Sequence, residues 1–318
     1  MGGLKRKVLK FGGTSVGSAP ALRSALGIAA DAAREQPVVV VVSALSGVTD
    51  ALEAAVVGAA AGRLDAAGFV AALRGRHTAL LAAVAQGRAA ARAAADLRRQ
   101  LSGLEQLLRV VALARTATPA NRAAILATGE RLSAPVFAAG LCELGLDAHA
   151  VDATTLLRTD EHFAEATADL AATRRATRAA LAALGPAAVP VVTGFIGASE
   201  RGETTLLGRG GSDLTAAILG FATDAERVEI WSDVDGVLTA DPRVSPEAVT
   251  IPWLSYAEAT ALARRGAKVL HPRTLGPLAE AGIPVFVGNT LRPQAPGTWI
   301  GPEAVPAYAE REDAGTAA

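Results

Sequence analysis

The sequence predicts an α/β protein with a mostly parallel central sheet and helices on its faces. Continuous aliphatic runs such as Val38-Val39-Val40-Val41-Val42 and Val189-Pro190-Val191-Val192-Thr193 read as strands buried on both faces. Helical patterns alternate with these runs, as β–α–β crossover units require. Gly-rich and hydroxyl-rich clusters follow directly on several strands. In open parallel sheets that is where ligands bind, in the crevice beyond the carboxyl ends.

Val8-Leu9-Lys10-Phe11 is the first strand, ended by Gly12-Gly13. A helix over residues 19–34 follows, and Pro37 opens the next strand, Val38 to Ser43. Residues 50–144 read as helical and rich in Ala, Leu and Arg, with breaks near Gly62, Gly68, Gly87, Gly103 and Pro119. Residues 148–152 form a strand, 167–184 a helix and 189–193 a strand. A helix opens at Gly210, and Val228-Glu229-Ile230-Trp231 is a strand. Helices over 255–264 and 272–281 precede the strand Pro284-Val285-Phe286-Val287, and the tail 303–318 reads as flexible.

Composition narrows the function. The chain has 318 residues, 51% hydrophobic and 19% charged, enough for one large domain or two lobes. With a formal net charge of +0 and no basic stripe, neither nucleic acid nor an anionic membrane is expected as a partner. The Arg-rich piece 74–99 reads as solvated faces of Ala-rich helices. The single cysteine, Cys142, fits a reducing cytoplasm and reads as buried filler in an apolar helix. The histidines lack metal-ligand spacing. No apolar run is long enough to span a membrane. Gly12-Gly13 follows the basic start Lys5-Arg6-Lys7 too soon for a secretory leader, so a cytoplasmic protein is expected.

Leu207-Gly208-Arg209-Gly210-Gly211-Ser212-Asp213 combines a cation, glycines, a capping Ser and a carboxylate just before an apolar helix. Such a helix start offers free N–H groups and positive potential to an anion. Taken alone it is read equally well as an ordinary capped helix. Lys10-Phe11-Gly12-Gly13-Thr14-Ser15 lacks both the Walker and the G-x-G-x-x-G spacings, but a Gly-Gly turn beside a Lys can cradle phosphate. Ser43-Ala44-Leu45-Ser46-Gly47-Val48-Thr49 suits polar contacts, with helix capping by Thr49 as the plainer reading. Glu130 lies beside a helical stretch. The acids of Ser232-Asp233-Val234-Asp235-Gly236 and of Asp241 could hold a metal, though not with EF-hand spacing.

Together these motifs, with Gly266-Ala267-Lys268-Val269-Leu270-His271-Pro272 and Thr239-Ala240-Asp241-Pro242-Arg243, resemble aspartokinase, of the amino-acid-kinase superfamily. They occur in family order across residues 8–301, and the stretch from Asn289-Thr290 to Gly297-Thr298 looks most like the kinase part of bifunctional aspartokinase–homoserine dehydrogenases. The resemblance implies a three-layer αβα sandwich over 1–302. An amino-acid-binding lobe would take about 1–205 and a nucleotide-binding lobe about 206–302. The implied reaction is phosphoryl transfer from ATP, carrying Mg²⁺, to the β-carboxylate of L-aspartate, a first step towards lysine, threonine and methionine. That carboxylate is ionised near neutrality, so no base is needed and positive electrostatics should dominate.

By the same resemblance, Lys10, Gly12 and Gly13 face the transferring phosphate, and Lys268 and Arg243 the nucleotide phosphates. Arg209 grips an aspartate carboxylate, and Glu130 and Asp213 bind its ammonium, with Asp213 also counted in the catalytic set. Thr49, Phe195, Gly210 and Ser212 line that pocket. Ser15, Ser43, Ser232, Asp233 and Leu238 fall on the nucleotide side. No protein ligand is assigned to the metal. Ser232 stands where Thr is common in the family, and Leu238 where Tyr is frequent. ACT regulatory domains are expected to be missing, which implies no feedback inhibition through this chain and leaves room for a separate regulatory chain. A homodimer through the helices of 50–145 is expected. The alternatives are a kinase of the same fold for another acidic amino acid and a non-catalytic nucleotide-binding subunit.

Overall fold

The computed structural model describes residues 5–240, 247–265 and 270–302. Arg243, Lys268 and the tail lie outside them.

Strand β1 (Lys7–Phe11), the single-turn helix α1 (Gly13–Val16), α2 (Ala19–Glu35) and β2 (Val38–Val42) open the chain. A run of helices follows: α3 (Val48–Ala60), α4 (Ala66–Val84), α5 (Gly87–Ala114), α6 (Pro119–Leu126) and α7 (Thr128–Glu143). Then come β3 (Ala148–Val151), α8 (Leu170–Leu184), β4 (Val189–Thr193), the short strands β5 (Ile196–Ala198) and β6 (Thr204–Leu206), and α9 (Gly211–Thr223). The chain closes with β7 (Arg227–Ser232), β8 (Trp253–Ser255), α10 (Tyr256–Arg264), α11 (Pro272–Ala281), β9 (Val285–Asn289) and β10 (Thr298–Gly301).

The main sheet is 8-stranded, in the order β3-β4-β2-β1-β7-β9-β10-β8, and every pairing is parallel except β9 with β10. β1, β2 and β4 are buried along their whole length, as their unbroken aliphatic runs demand. Helices α2 and α7 cover one face. On the other, α9 crosses β1, β2 and β7 with α8 and α11 beside it, which completes three αβα layers. Phe11 stacks on Phe137 of α7 at 5.2 Å, and Trp231, Phe286 and Trp299 form an aromatic row across β7, β9 and β10. Among the described residues no helix is long and apolar enough to cross a membrane.

Several local expectations are corrected. α5 runs through Gly103 without a break, because Leu97, Leu101, Leu104 and Leu108 keep one apolar stripe buried across it. Gly68 lies inside α4, whose start is set by Asp65 accepting the Gly68 N–H at 3.0 Å. Asp169 likewise starts α8 at Leu170, by accepting the Ala172 N–H. Cys142 is half-buried, not fully, with its thiol near the Ala148 carbonyl. Short strands β5, β6, β8 and β10 carry too few residues to stand out as periodic runs.

Candidate active site

The strand order reverses at β1. The chain builds outward through β2, β4 and β3 on one side and through β7 and β9 on the other. Loops leaving β1, β2 and β4 converge with the start of α9 around a cleft of about 510 Å³ at the carboxyl ends of the strands. Lys10, Gly13, Ser43, Thr49, Glu130, Phe195, Arg209, Gly210, Ser212 and Asp213 all line it.

Side chains alternate along β1. Phe11 therefore meets α7 on one face, while Lys10 meets α9 on the other. The Lys10 ammonium lies 2.6 Å from the Asp213 carboxylate, an ion pair without hydrogen-bond alignment at that oxygen. Lys10 is 8% exposed, so its cation is presented to the cleft from a largely desolvated position.

Helices α3 and α9 start at Gly47 (φ 77°) and Gly210 (φ 71°), and no side chain caps either. By contrast α2, α4, α6, α8 and α10 each have a Ser, Thr or Asp cap. Both uncapped starts open into the cleft and leave first-turn N–H groups and the positive dipole end for an anion. This corrects the reading of Ser212 and Thr49 as caps: each sits two positions past the cap, inside its helix, and both line the cleft. The left-handed backbone at Gly210 favours glycine, and an added Cβ would also sit 3.1 Å from the His271 side chain.

Glu130 lies in the first turn of α7. One carboxylate oxygen accepts the Ala44 N–H at 3.1 Å, while Oε2 is buried with no partner among the described residues. Burial pushes this carboxyl up to about 8; the Ala44 N–H and, more weakly, Lys10 oppose that rise. Ser133 donates to the Ser43 carbonyl at 2.7 Å and ties the same turn of α7 to the loop after β2.

Phe195 lines the cleft with φ 70°, a conformation that costs a bulky residue about 1–2 kcal/mol. It is held from both sides. Its N–H donates to the Thr215 hydroxyl at 3.0 Å, and its carbonyl accepts the Leu207 N–H at 2.8 Å. Thr215 was not expected from sequence; its one signal is a hydroxyl within the apolar run of α9. Arg76 is also more than a solvated charge, since it donates to the Ser46 carbonyl at 2.7 Å and braces the loop before α3.

Other expected residues lie elsewhere. The Gly12 N–H donates to the Trp231 carbonyl at 3.0 Å, so it is not available to a phosphate. Gly13 faces the cleft in its place, and a Cβ there would lie 2.8 Å from the Ala44 carbonyl. The Ser15 hydroxyl is buried between the Trp231 carbonyl and the Thr290 hydroxyl. Ser232 ends β7, Asp233 follows it, and Leu238 lies in a bridge to Thr250; none of these lines the cleft. Asp235 is tied to Asn289 and Arg292. Among the described residues no group of three His, Cys, Asp or Glu could hold a metal ion.

The amino acid kinase family matches residues 5–289. Lysine-sensitive aspartokinase 3 of Escherichia coli K12 is 37% identical over 297 residues, covering 92% of this chain and 63% of the relative. An aspartokinase of Chlamydia trachomatis is 34% identical over 293 residues, covering 92% and 64%. The crystal structure of E. coli aspartokinase III with aspartate and ADP superimposes with a TM-score of 0.85 at 36% identity, covering 95% of this chain and 66% of that one. The chain thus spans just under two thirds of the length of these relatives.

Proposed function

This chain belongs to the amino acid kinase family, and on that premise we propose that it transfers the γ-phosphoryl group of MgATP to the β-carboxylate of L-aspartate, giving 4-phospho-L-aspartate and ADP. The observation that carries the reading is the charge layout of one cleft. Lys10 and Arg209 supply two cations, Glu130 and Asp213 two acids, and two helix starts present free N–H groups. A zwitterionic dicarboxylate beside a polyphosphate uses every one of these. The relative crystallised with aspartate and ADP supports the choice of both ligands.

Arg209 clasps an aspartate carboxylate through its planar fork. The ammonium lies against Asp213 and the unpartnered oxygen of Glu130. A β-carboxylate oxygen attacks the γ-phosphorus as the bond to the bridging oxygen of ADP breaks, and no proton need leave the nucleophile. The barrier is set mainly by repulsion between two anions. Lys10, the first-turn N–H groups of α9 and the amide of Gly13 lower it by opposing the negative charge on the transferring oxygens. Mg²⁺ arrives with the triphosphate, whose oxygens are its preferred donors, as part of the substrate.

Hydroxylamine traps acyl phosphates as hydroxamates. Purified protein with ATP, Mg²⁺ and L-aspartate should give an aspartate-dependent hydroxamate signal. Absence of that signal from folded protein defeats the proposal. A signal larger with another acidic amino acid redirects the acceptor.

A further inference from the structure

Arg273 has no part in the proposed chemistry, yet its guanidinium reaches the backbone next to the Gly208–Gly210 loop that lines the cleft. Nη1 donates to the Leu207 carbonyl at 3.0 Å and Nη2 to the Ala166 carbonyl at 2.9 Å. Leu207 and Ala166 are both fully buried, and the Ala166 N–H donates to Leu206 at 2.8 Å. Leu207 is the last residue before a loop in which Gly208 (φ 77°) and Gly210 (φ 71°) are both left-handed. Such a loop has little stiffness of its own, and Arg209 extends from it into the cleft. Arg273 itself is fixed by the start of α11: Pro272 is in the first turn, and the His271 ring nitrogen accepts the Arg273 N–H at 3.3 Å.

We infer that Arg273 is a positioning residue. It pins the carbonyl at the root of the Gly208–Gly210 loop and so sets the direction in which Arg209 meets the acceptor carboxylate. The inference rests on the reading of the cleft as an acidic amino-acid site. A planar fork with two donors holds two carbonyls at once. A lysine offers its donors from one nitrogen at the end of a flexible stem, without the fixed spacing of the fork, and a methionine leaves both buried carbonyls without this donor. The effect should fall on acceptor binding, because the carbonyl being held belongs to the acceptor loop.

The test compares wild type, Arg273→Lys and Arg273→Met for aspartate KM, kcat and ADP binding, with amide hydrogen exchange over residues 206–214. Arg273→Met should raise aspartate KM about tenfold, the effect of losing one charge-assisted hydrogen bond. The expected kcat stays within about twofold and ADP affinity is unchanged. Exchange in 206–214 should quicken while the rest of the chain keeps wild-type rates, and Arg273→Lys should fall between. Unchanged KM and exchange overturn the inference, as does a uniform quickening of exchange with KM intact. Wild-type protein that ignores aspartate defeats the functional proposal instead, and the exchange comparison still decides the role of Arg273.

Discussion

Glu130→Gln separates the charge of the buried carboxyl from its shape. In the ligand-free fold the carboxyl is raised from 4.5 to about 8 because it is buried with one oxygen unpartnered. The folded state therefore prefers the protonated form. The stability it contributes is fully present below about pH 4.5 and is lost progressively as the pH rises to about 8. At 1.36 kcal/mol per pKa unit, the span from 4.5 to about 8 amounts to about 5 kcal/mol. Gln keeps the acceptor for the Ala44 N–H but has no charge to desolvate. The variant should match wild type near pH 5 and exceed it near pH 9 by a Tm gap on the order of 10 °C. Aspartate binding should move the other way. The incoming ammonium favours the ionised carboxylate, so wild-type protein should release close to one proton per aspartate bound at pH 7. Titration calorimetry in buffers of different ionisation enthalpy reads that number directly. Glu130→Gln should release almost none and bind aspartate about 10- to 100-fold more weakly, the loss of one charged hydrogen bond. A wild-type protein that binds aspartate without proton release, with a Tm gap constant across pH, would refute this account of Glu130.

Other perturbations separate catalytic from structural roles. Lys10→Met should lower kcat by about 10²- to 10³-fold, as loss of one preorganised charge contact does, with the circular dichroism spectrum unchanged; retained turnover removes Lys10 from the mechanism. Ser15→Ala removes a hydroxyl bonded to Trp231 and Thr290 rather than one facing the cleft. It should cost about 1 kcal/mol of stability with ATP KM unchanged, and a raised KM would return Ser15 to the nucleotide site. Gly13→Ala places a Cβ 2.8 Å from the Ala44 carbonyl and 3.2 Å from the Ser46 nitrogen, both backbone atoms that yield little. Stability should drop by about 1–3 kcal/mol in a denaturant titration, together with turnover. Thr215→Val leaves the Phe195 N–H unpaired beside its left-handed backbone and should destabilise by about 1–3 kcal/mol.

The central sheet was legible because buried parallel strands leave a strong trace: Val38–Val42 has no polar residue to confuse with a helix or a half-exposed strand. The starts of α2 and α10 were legible from their Ser caps, whereas those of α4 and α8 were placed a few residues off despite Asp65 and Asp169. At Gly210 the start was legible but the capping residue was not, there and at Gly47: the cap is a glycine and the hydroxyl further on lines the cleft instead. The cleft residues Lys10, Arg209 and Asp213 stood out through motifs. Which hydrogen bonds their neighbours had already made did not. The partner of the Gly12 N–H, Trp231, is remote in sequence and acts through its carbonyl, which every residue has. Arg273 escaped notice for the same reason, since both of its acceptors are main-chain atoms.

The way Gly12 and Ser15 are held has a consequence for how the chain becomes competent during synthesis. Among the described residues, every one that lines the cleft precedes Leu214, yet the turn bearing Gly13, just after Lys10, is fastened by Trp231 and Thr290, which are made later. A nascent chain that has emerged through α9 holds these cleft side chains without the strands that lock them. β1 must wait for β7 to dock along its open edge, a pairing that spans more than half the polypeptide. Binding competence should therefore arise abruptly, when the last strands join, and not grow as successive cleft residues leave the ribosome.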